Sequence, residues 1–280
     1  MNLQKLLESG ANKLVQNNIK TPKLDAELLL SNVLKKTREQ MLIDLNSIAT
    51  TKTINEFNTL IELRKRNKPV AQIIGYKFFW KSKFYINDNV LIPRPETELI
   101  VQKAINEIPK NLSMKILDVG TGSGCIIISI LKERPLCMGT ALDISNKAIK
   151  VAKTNAEMHQ IKNNLKFLNI DIDKYIPNNY DLIVSNPPYI SVSDLLCLEV
   201  DVKRYEPKLA LLGGNSGLDK VFKLIDKSSK LLKLNGKLIF EIGHGQKKQV
   251  VKYLKVKKFY INSINKDYAG IDRCIVSTKI

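Results

Sequence analysis

The chain contains, near its middle, the segment Asp181-Leu-Ile-Val-Ser-Asn-Pro-Pro-Tyr-Ile190. Its apolar run predicts a buried parallel strand, and the two consecutive prolines end that strand because proline donates no backbone hydrogen bond and fixes its own φ. The resulting stiff turn exposes the amide of Asn186 and the ring of Tyr189 at the carboxyl end of a strand. Open α/β sheets bind their ligands at that edge.

This turn has the groups needed to methylate a planar nitrogen. An amide or exocyclic amino group is a poor nucleophile because its lone pair is delocalised into the adjacent π system. The side-chain oxygen of Asn186 and the carbonyl of Pro187 can each accept one N–H, while Pro188 keeps the turn rigid and Tyr189 stacks on a flat substrate group. An ordinary proline turn after a strand is the alternative that this segment alone leaves open.

Length and composition indicate a globular protein of two domains. The chain has 280 residues, 44% of them hydrophobic, and a formal net charge of +18. No apolar run has membrane-spanning length, and four cysteines without metal-ligand spacing predict reduced thiols, no metal site and a cytoplasmic location. The positive charge permits an acidic or RNA-bound partner without requiring nucleic acid.

Residues 1–67 are predicted to form a small helical bundle that serves substrate recognition. Thr21-Pro22 predicts one helix start, and capping-box spacing predicts two more, in Thr37–Gln40 and Thr53–Glu56. Pro69 is expected to end the last helix.

Residues 68–95 are predicted to be a hairpin and a proline-rich linker. Short strands are expected over Ile73–Trp80 and Lys83–Ile86, and Pro93 and Pro95 hold Arg94 extended. A helix should follow, from residue 96 to about residue 106.

Residues 96–280 alternate strand and helix, which is typical of a parallel sheet. The predicted fold class is α/β: a doubly wound, seven-stranded sheet whose last two strands form an antiparallel hairpin around Ala269-Gly270. The strands are expected at 115–120, 138–143, 165–171, 181–185, 236–242, 260–264 and 273–278.

The first strand runs into a glycine-rich crossing, Gly120-Thr121-Gly122-Ser123-Gly124, where the backbone can approach a ligand closely. The spacing departs from the dinucleotide fingerprint, because Cys125 stands where the third glycine of that motif falls. A pyrophosphate cofactor is therefore disfavoured, and S-adenosyl-L-methionine fits better.

Acidic residues at two further strand ends complete the predicted cofactor site. Asp143 stands where an acid pairs with ribose hydroxyls, Asp171 is expected to face the adenine amino group, and Ile172 to pack on the ring. Asp118 is either a buried structural acid or a partner of the methionine ammonium. Asn186 lies on the strand expected beside the first, so it should face the same site.

Together these motifs resemble those of the protein-glutamine N5-methyltransferases that modify peptide chain release factors, and the resemblance covers nearly the whole chain. The motifs are Pro93-Arg-Pro-Glu-Thr-Glu98, Asp118-Val-Gly-Thr-Gly-Ser-Gly-Cys125, Asp181 to Ile190, Tyr205-Glu-Pro-Lys-Leu-Ala-Leu211, Gly213-Gly214 and Ala269-Gly-Ile-Asp-Arg273.

The resemblance implies a class I methyltransferase fold, S-adenosyl-L-methionine as cofactor, and the glutamine of the Gly-Gly-Gln motif in class 1 release factors as substrate. By position, the glycine crossing and Asp143 would hold the cofactor, and Asn186 to Tyr189 the glutamine amide. Many members of the family carry an aromatic residue where this chain has Ile172.

Three other functions remain open at this point. Asn-Pro-Pro-Tyr also occurs in adenine-N6 methyltransferases of nucleic acids, although no base-reading module is evident. A ribosomal-protein glutamine methyltransferase and a non-catalytic RNA- or ribosome-binding protein are the other two.

Overall fold

The computed structural model describes residues 1–161, 163–176 and 179–280. They form two compact units, the first made of Met1–Tyr76 with Glu199–Tyr205 and the second of Lys77–Leu198 with Glu206–Ile280. Among the described residues, no helix is both long enough and apolar enough to span a bilayer.

The first unit is helical. Its helices are α1 (Leu3–Val15), α2 (Pro22–Leu34), α3 (Arg38–Ile43), α4 (Thr51–Lys65), α5 (Val70–Ile74) and, from the later segment, α9 (Val200–Tyr205). Apolar residues of α1, α2 and α4 share one core, in which Leu14, Leu29, Phe57 and Ile61 are fully buried. Gly10 is required there, because a Cβ at this position would lie 2.5 Å from the Phe57 ring.

Local capping explains where these helices begin. Thr37 and Gln40 form the predicted capping box at α3. The prediction for α4 was wrong by three residues: Thr50 caps that helix and accepts from the backbone N–H of Thr53. Pro69 does not end a helix either, because α4 already stops at Lys65 and Pro69 precedes α5.

The predicted hairpin is present but shorter than expected. Strand β1 (Tyr76–Phe79) pairs with β2 (Ser82–Tyr85), whereas Ile73 and Ile74 belong to α5. Gly75 ends that helix in a left-handed conformation, φ +80°, so the β-branched pair on its own was misleading.

The second unit is built on a seven-stranded sheet, as predicted. Its strand order is β5-β4-β3-β6-β7-β9-β8, with β9 antiparallel to both of its neighbours and the remaining pairs parallel. The strands are β3 (Lys115–Val119), β4 (Met138–Asp143), β5 (Leu165–Asn169), β6 (Tyr180–Ser185), β7 (Leu232–Glu241), β8 (Phe259–Lys266) and β9 (Asp272–Lys279).

Helices connect and cover these strands. They are α6 (Glu98–Glu107), α7 (Cys125–Glu133), α8 (Asn146–Met158), α10 (Lys208–Leu211), α11 (Asp219–Leu231) and α12 (Lys247–Val256). The predicted helix after the proline-rich segment starts as a 3₁₀ turn, Pro95–Thr97, and continues as α6. Buried side chains of α11 and α12 share a core cluster with Leu117, Ile183 and Phe240 of the sheet. The sheet is thereby a rigid support for the loops at its edge.

Candidate functional site

The strand order brings two loops of the sheet together. Strand β3 pairs with β6 in parallel, with Val119 opposite Ser185, so the glycine crossing and the Asn186 turn leave the sheet at the same edge. Strand β4 lies on the other side of β3, and its last residue, Asp143, reaches that edge as well. The topology thus places the glycine crossing, the Asn186 turn and Asp143 at one edge of the sheet.

Three glycines give the crossing after β3 its shape. Gly120, Gly122 and Gly124 have φ of +71°, +56° and +80°, a region that side-chain-bearing residues rarely adopt. A Cβ on Gly120 would meet nothing within 4 Å, and one on Gly122 only the Gly120 carbonyl at 4.0 Å. The crossing therefore borders open space on the side where a ligand would lie. Between the glycines, Thr121 and Ser123 are buried and fix the loop.

Asp143 stabilises this crossing through its carboxylate. One oxygen accepts from the backbone N–H of Gly122 at 2.9 Å, and the other accepts from Ser145 at 2.8 Å. The side chain is partly exposed, and each carboxylate oxygen keeps a second lone pair. Asp143 thus connects β4 with the glycine crossing and can still accept hydroxyl donors.

Asp118 is a fully buried acid beneath the crossing. Its Oδ2 accepts from the Thr121 hydroxyl at 2.7 Å, but its Oδ1 has no hydrogen-bond partner among the described residues. Burial raises the pKa of this carboxyl to about 7, and the charge of Asp143 adds to the rise. An unpaired buried oxygen is costly, and a cationic ligand would relieve that cost.

Asp171 lies two residues beyond the end of β5, although the sequence predicts a strand up to it. It caps a short 3₁₀ turn by accepting from Asp173 N–H, and it forms an ion pair with Lys223 at 3.2 Å. Burial alone would raise its pKa, but that bond and Lys223 outweigh it, so the pKa lies below its ordinary value. Ile172 is partly buried and packs against the core cluster under α11 and α12. Lys223 is a contact that sequence analysis missed.

The Asn186 turn presents two free acceptors. Asn186 Nδ2 donates to Thr97 Oγ1 at 2.9 Å, and in the part of the chain that the structure describes neither Asn186 Oδ1 nor the Pro187 carbonyl accepts a hydrogen bond. Pro187 is buried and Pro188 partly buried, which holds the turn against the sheet. Backbone bonds between Ile190 and the 211–213 segment fix its other end.

Tyr189 is anchored by a buried acid that sequence analysis did not single out. Its hydroxyl donates to Glu241 Oε1 at 2.9 Å, and Thr97 donates to Glu241 Oε2 at 2.7 Å. The ring packs partly against the core cluster, so it is less open for stacking than predicted. Glu241 ends β7 on the far side of β6 from β3; its position at a strand end was the only available signal.

Electrostatics couple these groups. Burial raises the pKa of the Glu241 carboxyl, while the bonds from Thr97 and Tyr189 and the charge of Arg273 oppose the rise. The pKa of the Tyr189 hydroxyl is raised by its burial and by the adjacent Glu241 charge. Tyr189 is therefore neutral at physiological pH and acts as a donor.

A buried carboxylate, that of Glu206, holds the proline-rich segment within the second unit. Glu206 accepts from the backbone N–H of Ile92 at 3.2 Å and forms an ion pair with Arg94. This places Thr97, a few residues later, beside the Asn186 turn. The segment consequently belongs to the second unit and contributes Thr97 to the site.

These residues fit S-adenosyl-L-methionine. The space beside Gly120 and Gly122, the unpaired oxygen of buried Asp118 and the acceptors of Asp143 suit a ligand with a cationic amine and hydroxyl groups. Of the residues that the structure describes, no cluster of three or more His, Cys, Asp or Glu could hold a metal ion.

Comparison with known families agrees with this geometry. The family model described as "Methyltransferase small domain" matches residues 97–196, and the one described as "PrmC N-terminal domain" matches residues 5–75. Among solved structures, the ribosomal protein L11 methylase of Lactobacillus delbrueckii subsp. bulgaricus has a TM-score of 0.52 at 18% identity, over 73% of this chain and 91% of that one. The fold is that of the class I methyltransferases, the class that uses S-adenosyl-L-methionine.

Curated relatives make the assignment narrower. The release factor glutamine methyltransferases of Caulobacter vibrioides and Rhodospirillum rubrum are each 34% identical, covering 100% and 99% of this chain and 97% and 85% of theirs. A bifunctional methyltransferase of Rickettsia typhi is 35% identical over 98% of this chain, which spans only 56% of that relative. The chain thus spans about half the length of the bifunctional relatives it matches. It belongs to the release factor glutamine methyltransferase family.

Proposed function

We propose that this protein transfers the methyl group of S-adenosyl-L-methionine to the side-chain amide nitrogen of the glutamine in the Gly-Gly-Gln motif of class 1 release factors, in the cytoplasm. The observation that carries the proposal is the pair of free acceptors at the Asn186 turn, Asn186 Oδ1 and the Pro187 carbonyl. They lie at the sheet edge that also carries the glycine crossing. Family membership supports the choice of substrate.

The glycine crossing, from Gly120 to Gly124, would hold the cofactor together with Asp118 and Asp143. Asp171 and Ile172 would face its adenine. When bound, the cofactor supplies a methyl group made electrophilic by a sulfonium, so the protein contributes mainly orientation and hydrogen-bond acceptors.

The acceptors would make the amide nitrogen reactive. Each takes one of its two N–H groups, which fixes the amide plane and aims the nitrogen lone pair in one direction. Pro187 and Pro188 keep the two acceptors at a constant separation, and the Tyr189 ring limits the position of the substrate. The methylated amide is strongly acidic and loses its extra proton to water, so no general base is needed before attack.

The helical unit would recognise the protein substrate. Two large apolar side chains of this unit are exposed to solvent: Ile43 and Ile48 are 82% and 83% accessible. They offer an apolar surface for contact with a protein substrate. The division into a recognition domain (1–67), a linker (68–95) and a methyltransferase domain (96–280) remains part of this proposal.

The test is mass spectrometry of an intact, unmethylated class 1 release factor incubated with the protein and S-adenosyl-L-methionine. A mass gain of one methyl group, located on the Gly-Gly-Gln glutamine, is expected. In Asn186→Ala the turnover number should fall about 10²–10³-fold, the range for loss of one preorganised hydrogen-bonding group, with cofactor affinity within threefold of the wild type.

Asn262→Ala is the matched control, since Asn262 is an exposed asparagine on β8 whose side-chain oxygen accepts from Thr278. Full activity in Asn186→Ala would contradict the proposed role of the turn. Methyl transfer to RNA or DNA instead of the release factor would replace it with the adenine-N6 function.

A further inference from the structure

The hydrogen bonds around the Asn186 turn run in one direction. Asn186 Nδ2 donates to Thr97, the Thr97 hydroxyl donates to Glu241 Oε2, and Tyr189 donates to Glu241 Oε1. Thr97 and Glu241 are 3% and 1% exposed, so water cannot replace either partner. The series ends at the Glu241 carboxylate, where each of the two oxygens accepts one hydrogen bond.

This direction determines which end of the Asn186 amide faces the substrate. A hydroxyl has one proton, and Thr97 uses it on Glu241, so toward Asn186 it can only accept. The Asn186 amino group must therefore point at Thr97, and its oxygen must point away. Rotated by half a turn, the same amide would present N–H groups to a substrate amide that also offers N–H groups, and the two would repel.

We propose that Glu241 and Thr97 are positioning residues that hold Asn186 in the acceptor orientation. The inference rests on the proposed function and deepens it. Both residues are buried, so they would act through Asn186 and not by touching the substrate. Glu241 acts through Thr97, and Tyr189 occupies the second carboxylate oxygen so that both oxygens are satisfied.

Glu241→Gln tests the direction of the series. A glutamine places one oxygen and one amino group where Glu241 has two acceptor oxygens, so the amino group faces Thr97 or Tyr189 and donates to it. With the amino group facing Thr97, Thr97 turns its proton toward Asn186, which reverses the Asn186 amide. The turnover number should fall at least 30-fold, while the KM for S-adenosyl-L-methionine changes less than threefold.

Thr97→Val and Thr97→Ser form a matched pair. Valine has the shape of threonine without the hydroxyl, so turnover should fall about 10- to 30-fold; serine keeps the hydroxyl and should recover most of the loss. Ser277→Ala is the stability control, because it removes a different buried hydroxyl of the same sheet, one that donates to Leu238 at 3.3 Å. That variant should keep wild-type turnover at a comparable melting temperature.

The side-chain amide protons of Asn186 provide a readout that needs no turnover. By ¹⁵N NMR their exchange should be slow in the wild type and Thr97→Ser and at least tenfold faster in Thr97→Val and Glu241→Gln. Unchanged exchange and turnover within threefold in those two variants, or an equal loss in Ser277→Ala, would overturn the inference. If the wild-type protein does not methylate release factor, the proposed substrate is wrong. The orientation of Asn186 is still decided by the exchange measurement, so the two failures can be told apart.

Discussion

Two buried carboxylates of the sheet, Asp118 on β3 and Glu241 on β7, differ in how completely they are paired. Asp118 has one oxygen bonded to Thr121 and one oxygen without a partner among the described residues. Glu241 has both oxygens occupied, by Thr97 and Tyr189. The first is an incomplete site that a ligand can complete, and the second is a complete one that orients its neighbours.

The loops above these acids follow the same division. The crossing over Asp118 is formed by glycines with positive φ and borders open space, because these glycines carry no side chains. The turn beside Glu241 is made of prolines and hydrogen-bonded side chains, so it is rigid before any substrate binds. A cofactor that must enter and leave suits the first arrangement, and an acceptor amide that must be held in one plane suits the second.

Among the variants that test this comparison, Asp118→Asn should have the largest effect. The unfolded chain loses the aspartate proton near pH 4, but the folded pKa is about 7, so folding is penalised as pH rises between these values and fully above pH 7. Asparagine does not titrate, and the variant should be more stable than the wild type by roughly 2–4 kcal/mol at pH 8. Urea unfolding at pH 5 and pH 8 measures this.

The same substitution should weaken S-adenosyl-L-methionine binding at pH 8 at least tenfold by calorimetry, because the cationic amine loses its counter-charge. A stability difference that does not grow with pH would show that Asp118 is ionised throughout and already paired.

Gly120→Ala should have the next largest effect. The methyl group enters the open space beside the crossing, and cofactor affinity should fall about 10- to 30-fold, or about 1.4–2 kcal/mol. Gly270→Ala is the control for backbone strain. Gly270 has φ +78°, close to the +71° of Gly120, and a Cβ there would also meet nothing within 4 Å. Gly270 lies in the β8–β9 turn, away from the crossing. Equal cofactor affinities in the two variants would mean that the space beside Gly120 is not used.

Tyr189→Phe should reduce turnover about 3- to 10-fold. This corresponds to a loss of about 1 kcal/mol, the typical net contribution of one hydrogen bond. Glu241 then loses a donor that favours its ionised form, so its pKa rises further, with Arg273 still opposing and Glu96 supporting the rise. Activity should therefore be lost at a higher pH on the acid side. Tyr253→Phe, which removes a tyrosine–carboxylate bond to Asp226 elsewhere, is the control. An unshifted pH profile would argue against ionised Glu241 as the origin of the series.

The smallest effect is expected from Lys223→Met. This removes the ion pairs of Lys223 with Asp171 and with Asp173, partly exposed contacts worth about 0–1 kcal/mol. Thermal unfolding should show a change within that range, and cofactor affinity should change less than threefold. A tenfold loss of affinity would mean that Lys223, and not Asp171 alone, contributes to the adenine end of the site.

The sequence was sufficient to predict features with a local cause. Alternating strands and helices predicted the seven-stranded sheet, the glycines marked the crossing after β3, and the two prolines marked the end of β6. Each of these signals depends on backbone geometry that the residue itself imposes.

Features with a distant cause were not predicted. Thr97 and Glu241 are 144 positions apart in the chain, and their bond depends on the packing of the sheet. The pairing of Asp171 with Lys223 depends on α11 reaching the end of β5. Local errors had another origin: Thr50 and Thr53 both resemble caps, and only the backbone decides between them.

The strand order also bears on how the protein assembles. Strand β9 lies between β7 and β8, so β8 cannot join the sheet until the chain has turned back through Asp267, which accepts from Ala269, Ile271 and Arg273. Arg273, whose charge favours ionised Glu241, arrives with this hairpin. We therefore expect competence for methyl transfer to be gained late in refolding, after the parallel strands have formed, with a lag that lengthens when the Asp267 turn is weakened.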